Sequence, residues 1–356
     1  MTYTIEKVTT LIGARRYGDN DTNIGFILTD SRSLCFPEET LFFALKSERN
    51  DGHNYIPELY RRGVKNFVVT NVPKGYASDY PGANFLKVVN TLEALQRLAE
   101  RHRDEFNIPI VGITGSNGKT MVKEWLYQLL SPSMFVTRSP RSYNSQIGVP
   151  LSVWLMNEQT QVGVFEAGIS MPGEMLALRD IIQPTIAVLT NLGAAHQENF
   201  SSMEEKCREK LILFHDAETV IYDGDDEVIS KVIAEYPDYK GEKLFWSLKN
   251  PEAPFYVKNI EKQQSVSVIT YIYKGVEDSF SIPFIDDASV QNAIISAVVA
   301  SKLGLSAEDI DKRMAQLEPV AMRLEVKEGQ HGCTLINDSY NSDINSLDIA
   351  LDFMNR

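Results

Sequence analysis

Short apolar runs alternate with helix-like stretches through the middle of the chain, from residue 108 to about residue 318. Apolar runs suited to strands occupy residues 110–114, 162–166, 185–190 and 219–222. Strands that alternate with helices build a mostly parallel sheet covered by helices on both faces. The pattern therefore predicts a central α/β domain over residues 108–318.

Residues 255–285 break this alternation. The run from Val266 to Tyr273 is rich in β-branched and aromatic residues, which indicates antiparallel strands. Helical spacing returns at about residues 288–303 and 306–316. Two helices are therefore expected to close the central domain.

The first 107 residues carry short strand-like runs at 67–70 and 85–89 between turn clusters. Leucines then recur every three residues from Leu92, which predicts a helix with Thr91 as its N-cap. Pro109 marks a boundary after that helix. Residues 1–107 are therefore predicted to form a small N-terminal α/β domain.

A third region begins after Pro319, where residues 335–341 indicate a strand running into a loop and residues 346–353 indicate a helix. One strand and one helix cannot bury both faces of the strand. We therefore expect residues 319–356 to be the start of an incomplete C-terminal domain, so that the chain is truncated.

Composition narrows the possible functions. The 356 residues are 43% hydrophobic and 23% charged, and their net charge of −13 argues against a nucleic-acid-binding surface. The start has no signal-peptide pattern, and no apolar run approaches the ~20 residues that span a bilayer. The three cysteines, Cys35, Cys207 and Cys333, are far apart, which suits a reducing cytoplasm.

The candidate chemistry centres on residues 112–120, which read Gly-Ile-Thr-Gly-Ser-Asn-Gly-Lys-Thr between an apolar run and an amphipathic stretch. Three glycines let the backbone turn its N–H groups toward an anion, and the helix that follows adds its positive dipole end. Lys119 can reach terminal phosphates, and the Thr120 hydroxyl can bind Mg²⁺. This segment predicts ATP binding by Gly115, Ser116, Asn117, Gly118, Lys119 and Thr120.

Glu166 ends the apolar run 162–166. Ligands of a parallel sheet collect at the carboxyl ends of its strands, beside the phosphate loop. A carboxylate there is a suitable Mg²⁺ ligand, although its position alone equally allows a solvated glutamate.

The spacing of the phosphate loop points to a family, because five residues instead of the usual four separate Gly112 from Gly118. The segment Thr-Gly-Ser-Asn-Gly-Lys-Thr resembles the phosphate loop of the Mur ligases and of the related folylpolyglutamate synthases (FPGS). In that family a glutamate such as Glu166 binds metal. The segment ending Ala-Ala-His-Gln-Glu resembles another family motif, in which His196 would bind metal or hydrogen-bond a phosphate oxygen.

The resemblance also covers a lysine that would be chemically modified. Lys210 begins the run Lys-Leu-Ile-Leu-Phe, which matches the place of a family lysine that reacts with CO₂ to form a metal-binding carbamate. Lys206, four residues earlier, is the competing candidate for the carbamate. The alternative is that Lys210 is simply an exposed lysine on a helix.

Three further residues are matched to nucleotide contacts. The segment 337–342 resembles the Asp-Asp-Ser-Tyr-Asn-Ala motif of the Mur ligases that add D-alanyl-D-alanine, which implies that Asp338 holds the ATP ribose. Arg323 matches an arginine that contacts nucleotide phosphate. Asn292 is kept from a family His-Asn-x-x-Asn-Ala segment whose first two residues are absent here, so the resemblance implies a nucleotide contact at Asn292 and no adenine contacts before it.

Two segments resemble substrate-binding motifs. Asp30-Ser31-Arg32, with Asp51-Gly52-His53 further on, is similar to the N-terminal UDP-binding domain of the family, which implies that Ser31 and Arg32 bind substrate. The segment 143–150 resembles the one that lines the muramyl-peptide channel, and its Asn144 and Ser145 would contact that substrate.

By this resemblance the chain is expected to be a cytoplasmic, monomeric ligase. It would use ATP, two Mg²⁺ ions and a carbamylated Lys210 to join D-alanyl-D-alanine to UDP-N-acetylmuramoyl-tripeptide through an acyl phosphate. Lys119, His196 and Lys210 would be its catalytic residues, and Thr120, Glu166, His196 and Lys210 would arrange the metal ions. The truncated chain alone is expected to be weakly active or inactive. An FPGS-like ligase and a substrate-binding fragment without turnover remain the alternatives.

Overall fold

The structure is a computed structural model that describes residues 1–193, 195, 197–236, 239–321, 325–328, 333–337, 339, 347 and 351. The chain divides into two compact units. Unit 1 consists of Met1–Asn107 and Gln146–Gln159, and unit 2 consists of Ile108–Ser145 and Thr160–Arg356.

The helices of the described residues are α1 (Ile5–Leu11), α2 (Ile56–Arg61), α3 (Tyr76–Asp79), α4 (Thr91–Arg103), α5 (Lys119–Leu130), α6 (Gly148–Val153), α7 (Met175–Ile182), α8 (Met203–Leu211), α9 (Glu227–Ala234), α10 (Asp287–Lys302) and α11 (Ala307–Met314). The strands are β1 (Tyr3–Thr4), β2 (Arg15–Tyr17), β3 (Asn23–Ile24), β4 (Phe26–Leu28), β5 (Thr40–Phe43), β6 (Asn66–Val69), β7 (Asn84–Lys87), β8 (Ile110–Thr114), β9 (Val136–Arg138), β10 (Val162–Glu166), β11 (Ile186–Leu189), β12 (Thr219–Ile221), β13 (Glu242–Lys243), β14 (Trp246–Ser247), β15 (Phe255–Lys262), β16 (Ser267–Tyr273), β17 (Val276–Ile282), β18 (Glu325–Glu328) and β19 (Thr334–Asn337).

Unit 1 is built on a five-stranded sheet in the order β2-β7-β6-β5-β4. Strands β4 to β7 pair in parallel, and β2 joins the edge antiparallel to β7. Successive residues of β5 face opposite sides: Leu41 and Phe43 pack with α1 and α4, whereas Phe42 packs with α2. This alternation covers both faces of the sheet with helices.

The N-cap of helix α4 lies one residue earlier than the sequence predicted. The side chain of Asn90 accepts hydrogen bonds from the backbone N–H groups of Leu92 and Glu93, so Asn90 is the N-cap and the prediction of Thr91 was wrong. The Thr91 hydroxyl instead donates to the carbonyl of Ala44 inside unit 1. Asparagine outranks threonine as a cap, and the buried acceptor at Ala44 lies far away in sequence.

The central sheet of unit 2 has six strands in the order β13-β12-β11-β8-β10-β9, and every pairing in it is parallel. One apolar cluster joins this sheet to α5 and α10, with Val111 and Ile113 of β8 pointing into it. The intervening residue Gly112 faces the other side, where a Cβ atom would lie 2.9 Å from Pro184 at the end of the α7 segment. Helices therefore cover both faces, as the alternating pattern predicted.

A second sheet of unit 2 has the order β14-β15-β16-β17. Strands β15, β16 and β17 are antiparallel neighbours, which confirms the prediction for residues 255–285. The short strand β14 pairs in parallel with β15 at its edge. Helices α10 and α11 follow close to the predicted positions.

In the C-terminal region, the strand predicted from residue 335 is β19. It pairs antiparallel with β18, a strand that the sequence pattern did not predict. Most of the helix expected at 346–353 lies outside the described residues.

None of the helices in the described ranges combines the length and the apolar character needed to cross a bilayer.

A buried histidine links α4 to the start and end of unit 1. The ring of His102 is 1% exposed; its Nδ1 lies 2.9 Å from the Tyr3 hydroxyl and its Nε2 lies 3.1 Å from the Met156 carbonyl. Because a carbonyl only accepts, Nε2 carries the proton and the hydroxyl donates to Nδ1. Burial lowers the pKa of His102 to about 4.

We expect His102 to cost the protein about 3 kcal/mol of stability as the pH falls from 6.5 to 4. The unfolded chain binds the proton at the ordinary pKa of 6.5, whereas folded His102 binds it only near pH 4, so the stability is intact above pH 6.5. Urea unfolding at several pH values should show that the stability advantage of the wild type over His102→Gln shrinks on acidification. His215→Gln, at an exposed histidine, is the control. A pH-independent advantage would contradict this assignment.

Candidate active site

The candidate site lies at one edge of the central sheet of unit 2. Because its strands are parallel, the segments that follow β8, β9, β10 and β11 all leave the sheet at its carboxyl edge. They are the phosphate loop (residues 115–118), the β9 loop (residues 139–145), the start of the segment after Glu166, and the β11 loop (residues 190–193).

The phosphate loop requires glycine at two positions. Gly115 has φ +145° and Gly118, the N-cap of α5, has φ +81°. A Cβ atom at Gly115 would lie 1.9 Å from Thr190 Oγ1, and one at Gly118 would lie 2.4 Å from Asn292 Oδ1. Backbone conformation and close neighbours therefore both exclude larger residues, which explains the glycines of the motif.

The β11 loop holds the phosphate loop in place. Ser116 N–H donates to the Asn191 carbonyl at 3.1 Å, and Asn117 N–H donates to Asn191 Oδ1 at 2.9 Å. Gly193 N–H donates to Ser116 Oγ at 2.9 Å, and Thr190 Oγ1 donates to the Asn117 carbonyl at 2.5 Å. The side chains of Ser116 and Asn191 thus fix the turn before α5 begins.

Lys119 is the first residue of α5, and its ammonium lies over the phosphate loop. The Nζ atom donates to the carbonyl of Gly115 at 2.7 Å and to that of Ser116 at 3.3 Å. A cation at the first turn of a helix opposes the helix dipole, so its charge is favourable there only beside an anion. The geometry therefore suits a lysine that binds phosphate.

Thr120, Glu166 and Ser142 bring three oxygen-bearing side chains together. The Thr120 hydroxyl donates to Glu166 Oε2 at 3.1 Å and lies 3.0 Å from Ser142 Oγ. Glu166 is fully buried, which rules out a solvated strand-end glutamate. A buried carboxylate requires a compensating positive charge nearby.

Lys123, one helical turn after Lys119, lies behind this carboxylate. Its Nζ is 3.1 Å from Glu166 Oε1, and both side chains are fully buried. This contact is an ion pair outside the angular range of a hydrogen bond, and Oε1 receives no hydrogen bond from the part of the chain that the structure describes. Lys123 also lies 2.9 Å from Glu124 Oε1.

Two more buried lysines approach from α8. The Nζ of Lys206 donates to the carbonyl of Gly193 at 2.5 Å and to the carbonyl of Ala195, so this ammonium holds the segment after β11. Lys210 is 2% exposed. Its burial, followed by the nearby positive charges of Lys119 and Lys206, lowers the pKa of Lys210 well below its ordinary value. Lys210 is therefore not an exposed helical lysine, and the structure brings it into the region of Lys119.

The structure also places Asn144 and Asn292 in unit 2. The Asn144 carbonyl accepts from Gly168 N–H at 2.8 Å, just beyond Glu166, and Ser145 is exposed at the end of the same loop. Asn292 is 8% exposed in α10, and its amide oxygen lies against Gly118. Both asparagines therefore lie near residues of the candidate site.

The substrate residues predicted in unit 1 form a separate turn. Asp30 accepts from Arg32 N–H at 3.0 Å and pairs with the Arg32 guanidinium at 2.6 Å. The side-chain hydrogen bond from Arg32 lowers the pKa of Asp30 to about 2. Arg62 donates to the Ser31 carbonyl at 2.8 Å. The Arg32 side chain is 87% exposed, so the turn presents its cation to solvent.

Three predicted site residues, His196, Arg323 and Asp338, lie outside the described residues. Among the residues that are described, no group of three His, Cys, Asp or Glu side chains lies close enough to hold a metal ion. Two residues next to Thr120 and Glu166 were not predicted, namely Lys123 and Ser142. The four-residue spacing from Lys119 could have indicated Lys123, because it places both lysines on neighbouring turns of one helix.

Comparison with known proteins gives a consistent result. The family model described as the Mur ligase middle domain matches residues 113–300, just over half of the chain. A Bacillus subtilis (strain 168) protein named UDP-N-acetylmuramoyl-tripeptide–D-alanyl-D-alanine ligase is 30% identical over 337 residues. That match covers 93% of this chain and 70% of the relative.

Solved structures share the fold. A crystal structure of MurF from Acinetobacter baumannii has a TM-score of 0.88 at 24% identity, covering 99% of this chain and 76% of that one. MurF ligase from Thermotoga maritima in complex with ADP has a TM-score of 0.79 at 25% identity, covering 93% and 74%. A complex of FPGS with AMPPCP is less similar, with a TM-score of 0.59 at 16% identity, covering 74% and 76%.

We expect Gly118→Ala to weaken ADP binding at least ~10-fold, because the methyl group would meet Asn292 and force the start of α5 to move. Gly82→Ala is the matched control, since Gly82 has a similar φ of +73° and no atom within 4 Å of the added Cβ. Both variants carry a backbone cost of about 1 kcal/mol, measurable by urea unfolding. Equal ADP affinity in the two variants, measured by calorimetry, would show that the contact with Asn292 is unimportant.

Proposed function

The chain belongs to the Mur ligase family, and we propose that it is an ATP-dependent ligase joining D-alanyl-D-alanine to UDP-N-acetylmuramoyl-tripeptide. The relative from Bacillus subtilis carries the name of this activity. The observation that carries the proposal is the phosphate loop with Lys119, set beside the Thr120 hydroxyl and the buried carboxylate of Glu166. This arrangement suits binding and transfer of a terminal phosphoryl group.

In the proposed reaction, the terminal carboxylate of the tripeptide attacks the γ-phosphorus of ATP, and ADP leaves. The amine of D-alanyl-D-alanine then attacks the acyl phosphate, loses a proton and expels phosphate to give the amide. Lys119 and the N–H groups of the first turn of α5 stabilise the charge on the transferring group. Peptidoglycan precursor synthesis is the corresponding cellular role.

The residues of the site fit Mg²⁺. Thr120 Oγ1 and Glu166 Oε2 are 3.1 Å apart. Two neighbouring oxygen ligands at ~2.1 Å in an octahedral Mg²⁺ site are separated by about 3.0 Å. Thr120 and Glu166 would therefore hold the ion, with His196 and Lys210 as the further ligands proposed from the family motifs. A bound Mg²⁺ would supply positive charge that screens the phosphate and carboxylate anions from each other.

Lys210 is proposed to be the residue that forms a carbamate. The reaction joins a neutral amine to CO₂ and releases a proton, so it requires a lysine of lowered pKa, as burial provides at Lys210. The product is an anion beside Lys119 and Lys206, which replaces a repulsion with an attraction. Lys206 is the weaker candidate, because its ammonium already donates to two backbone carbonyls.

The remaining roles follow the family motifs. Ser31 and Arg32 of residues 1–107 are proposed to bind the UDP group, and Asn144 and Ser145 the muramyl peptide. Residues 108–318 are proposed to form the ATPase domain, with Asn292, Arg323 and, from the C-terminal domain beginning at residue 319, Asp338 as further nucleotide contacts. The enzyme is proposed to be a cytoplasmic monomer.

Substrate binding separates this function from its alternative, an FPGS-like ligase. Calorimetry should detect binding of UDP-N-acetylmuramoyl-tripeptide, and ADP formation should rise when that substrate and D-alanyl-D-alanine are supplied together. Binding of a folate in place of the UDP-tripeptide would reject the proposal. Binding of the UDP-tripeptide without ADP formation would indicate that the chain binds substrate without turnover.

Lys119→Met should lower ATP-dependent turnover at least ~100-fold, because one charged donor to the transferring phosphoryl group is lost. Thermal unfolding should change little, since Met keeps the length of the side chain. Lys231→Met is the control, because Lys231 is an exposed lysine on α9. Wild-type turnover in Lys119→Met would refute the phosphate-loop assignment. Phosphate release is the measurement.

Lys210 should show a carbamate ¹³C signal when the protein is equilibrated with ¹³C-bicarbonate near neutral pH. The signal should fade on acidification, because protonated Lys210 cannot react with CO₂. Lys210→Ala should lose the signal and most ligase activity, and a short carboxylate should restore part of that activity. If Lys206→Met abolishes the signal and Lys210→Ala keeps it, the assignment moves to Lys206.

A further inference from the structure

Lys123 is a buried cation to which the family motifs assign no role. It lies in α5, four residues after Lys119, and its side chain is fully buried. An ammonium group without water needs several oxygen partners, and each partner of Lys123 belongs to unit 2. The identity of these partners shows what the residue does.

The first partners are main-chain carbonyls of the β9 loop. The Nζ atom donates to the carbonyl of Ser139 at 2.9 Å and to the carbonyl of Arg141. Arg141 has φ +49°, a backbone region that residues with side chains rarely adopt. The ammonium therefore stabilises a bend in the loop just before Ser142.

The other partners are carboxylates. Lys123 lies 3.1 Å from Glu166 Oε1, while Thr120 occupies the opposite oxygen, Oε2. Glu124 forms the second ion pair with Lys123. Glu124 also pairs at 3.0 Å with Arg138, the last residue of β9. One ammonium thus touches the phosphate-loop helix, the end of β10 and the loop after β9.

We propose that Lys123 is a positioning residue that holds Glu166 by one oxygen, so that only Oε2 is offered to the Mg²⁺ ion, and that fixes the β9 loop beside it. The magnesium part rests on the proposed function, whereas the loop part does not. Ser142, which lies 3.0 Å from Thr120 Oγ1, and Asn144, which accepts from Gly168, are the loop residues that this bend sets in place.

If Lys123 has this role, its removal should strengthen Mg²⁺ binding and weaken the β9 loop. Loss of the ammonium frees both oxygens of Glu166 and removes a positive charge next to the cation, so Mg²⁺ should bind more tightly. The same loss removes the donor from two loop carbonyls, so the β9 loop should open more often. A residue that only contributes packing would not tighten metal binding.

The test uses Lys123→Met in the full chain, because Met keeps the length of the side chain and removes its charge. Hydrogen exchange of the amides at 139–145 should become at least ~10-fold faster. In a titration with Mg²⁺ at pH 8 and saturating ADP, the apparent dissociation constant for Mg²⁺ should fall about 5-fold or more. Lys231→Met, at an exposed lysine of the same unit, should change neither value.

Unchanged exchange and unchanged Mg²⁺ affinity in a folded Lys123→Met protein would overturn the proposal, as would weaker Mg²⁺ binding. If Lys123→Met does not fold, Lys123→Met/Glu166→Gln removes both buried charges and is compared with Glu166→Gln alone. Faster exchange at 139–145 in the double variant supports the role in the loop, and equal exchange rejects it. If wild-type protein fails to bind ADP or UDP-tripeptide, the proposed function is wrong. The exchange result still tests whether Lys123 holds the β9 loop.

Discussion

The buried carboxylate of Glu166 is the constraint on which the rest of the site depends. A charge without water is stable in a protein only when opposite charges and hydrogen bonds replace the water. Thr120 supplies a hydroxyl to one oxygen, and Lys123 supplies a charge to the other. Because Thr120 and Lys123 lie on α5, the carboxylate also sets the position of that helix against β10. The same interaction thereby places the phosphate loop next to the proposed Mg²⁺ site.

Positive charge is the second feature of the site. Lys119 and Lys123 are four residues apart on α5, and Lys206 and Lys210 are four residues apart on α8. Like charges at this spacing destabilise an isolated helix by roughly 0.2–0.5 kcal/mol. In the folded protein, Lys119 donates to carbonyls of the phosphate loop, Lys123 to carbonyls of the β9 loop and Lys206 to carbonyls of the segment after β11. Lys119 and Lys210 are the members of these pairs that we propose to act on the anionic substrates.

Much of the fold could be predicted from the sequence, because parallel strands and covering helices have strong local patterns. The phosphate loop could also be predicted, since its glycines, Lys119 and Thr120 lie close together in the chain. The N-cap at Asn90 was missed because Asn90 and Thr91 both suit a cap, and only the distant Ala44 carbonyl decides between them. The pairing of β18 with β19 was missed because a short polar strand has no distinct periodicity.

The interactions that determine the site were the least predictable, since they join segments far apart in sequence. Lys123 contacts Glu166 across 43 positions of the chain, and the Ser116 hydroxyl donates to the Gly193 carbonyl across 77. A motif can show that Glu166 ends a strand, but the identity of the group behind the carboxylate depends on which helix covers that strand. The Mur ligase motifs include Thr120 and Glu166, whereas Lys123 lies behind the Glu166 carboxylate and belongs to none of these motifs. A positioning residue of this kind is therefore found from the structure, by asking how each buried charge is compensated.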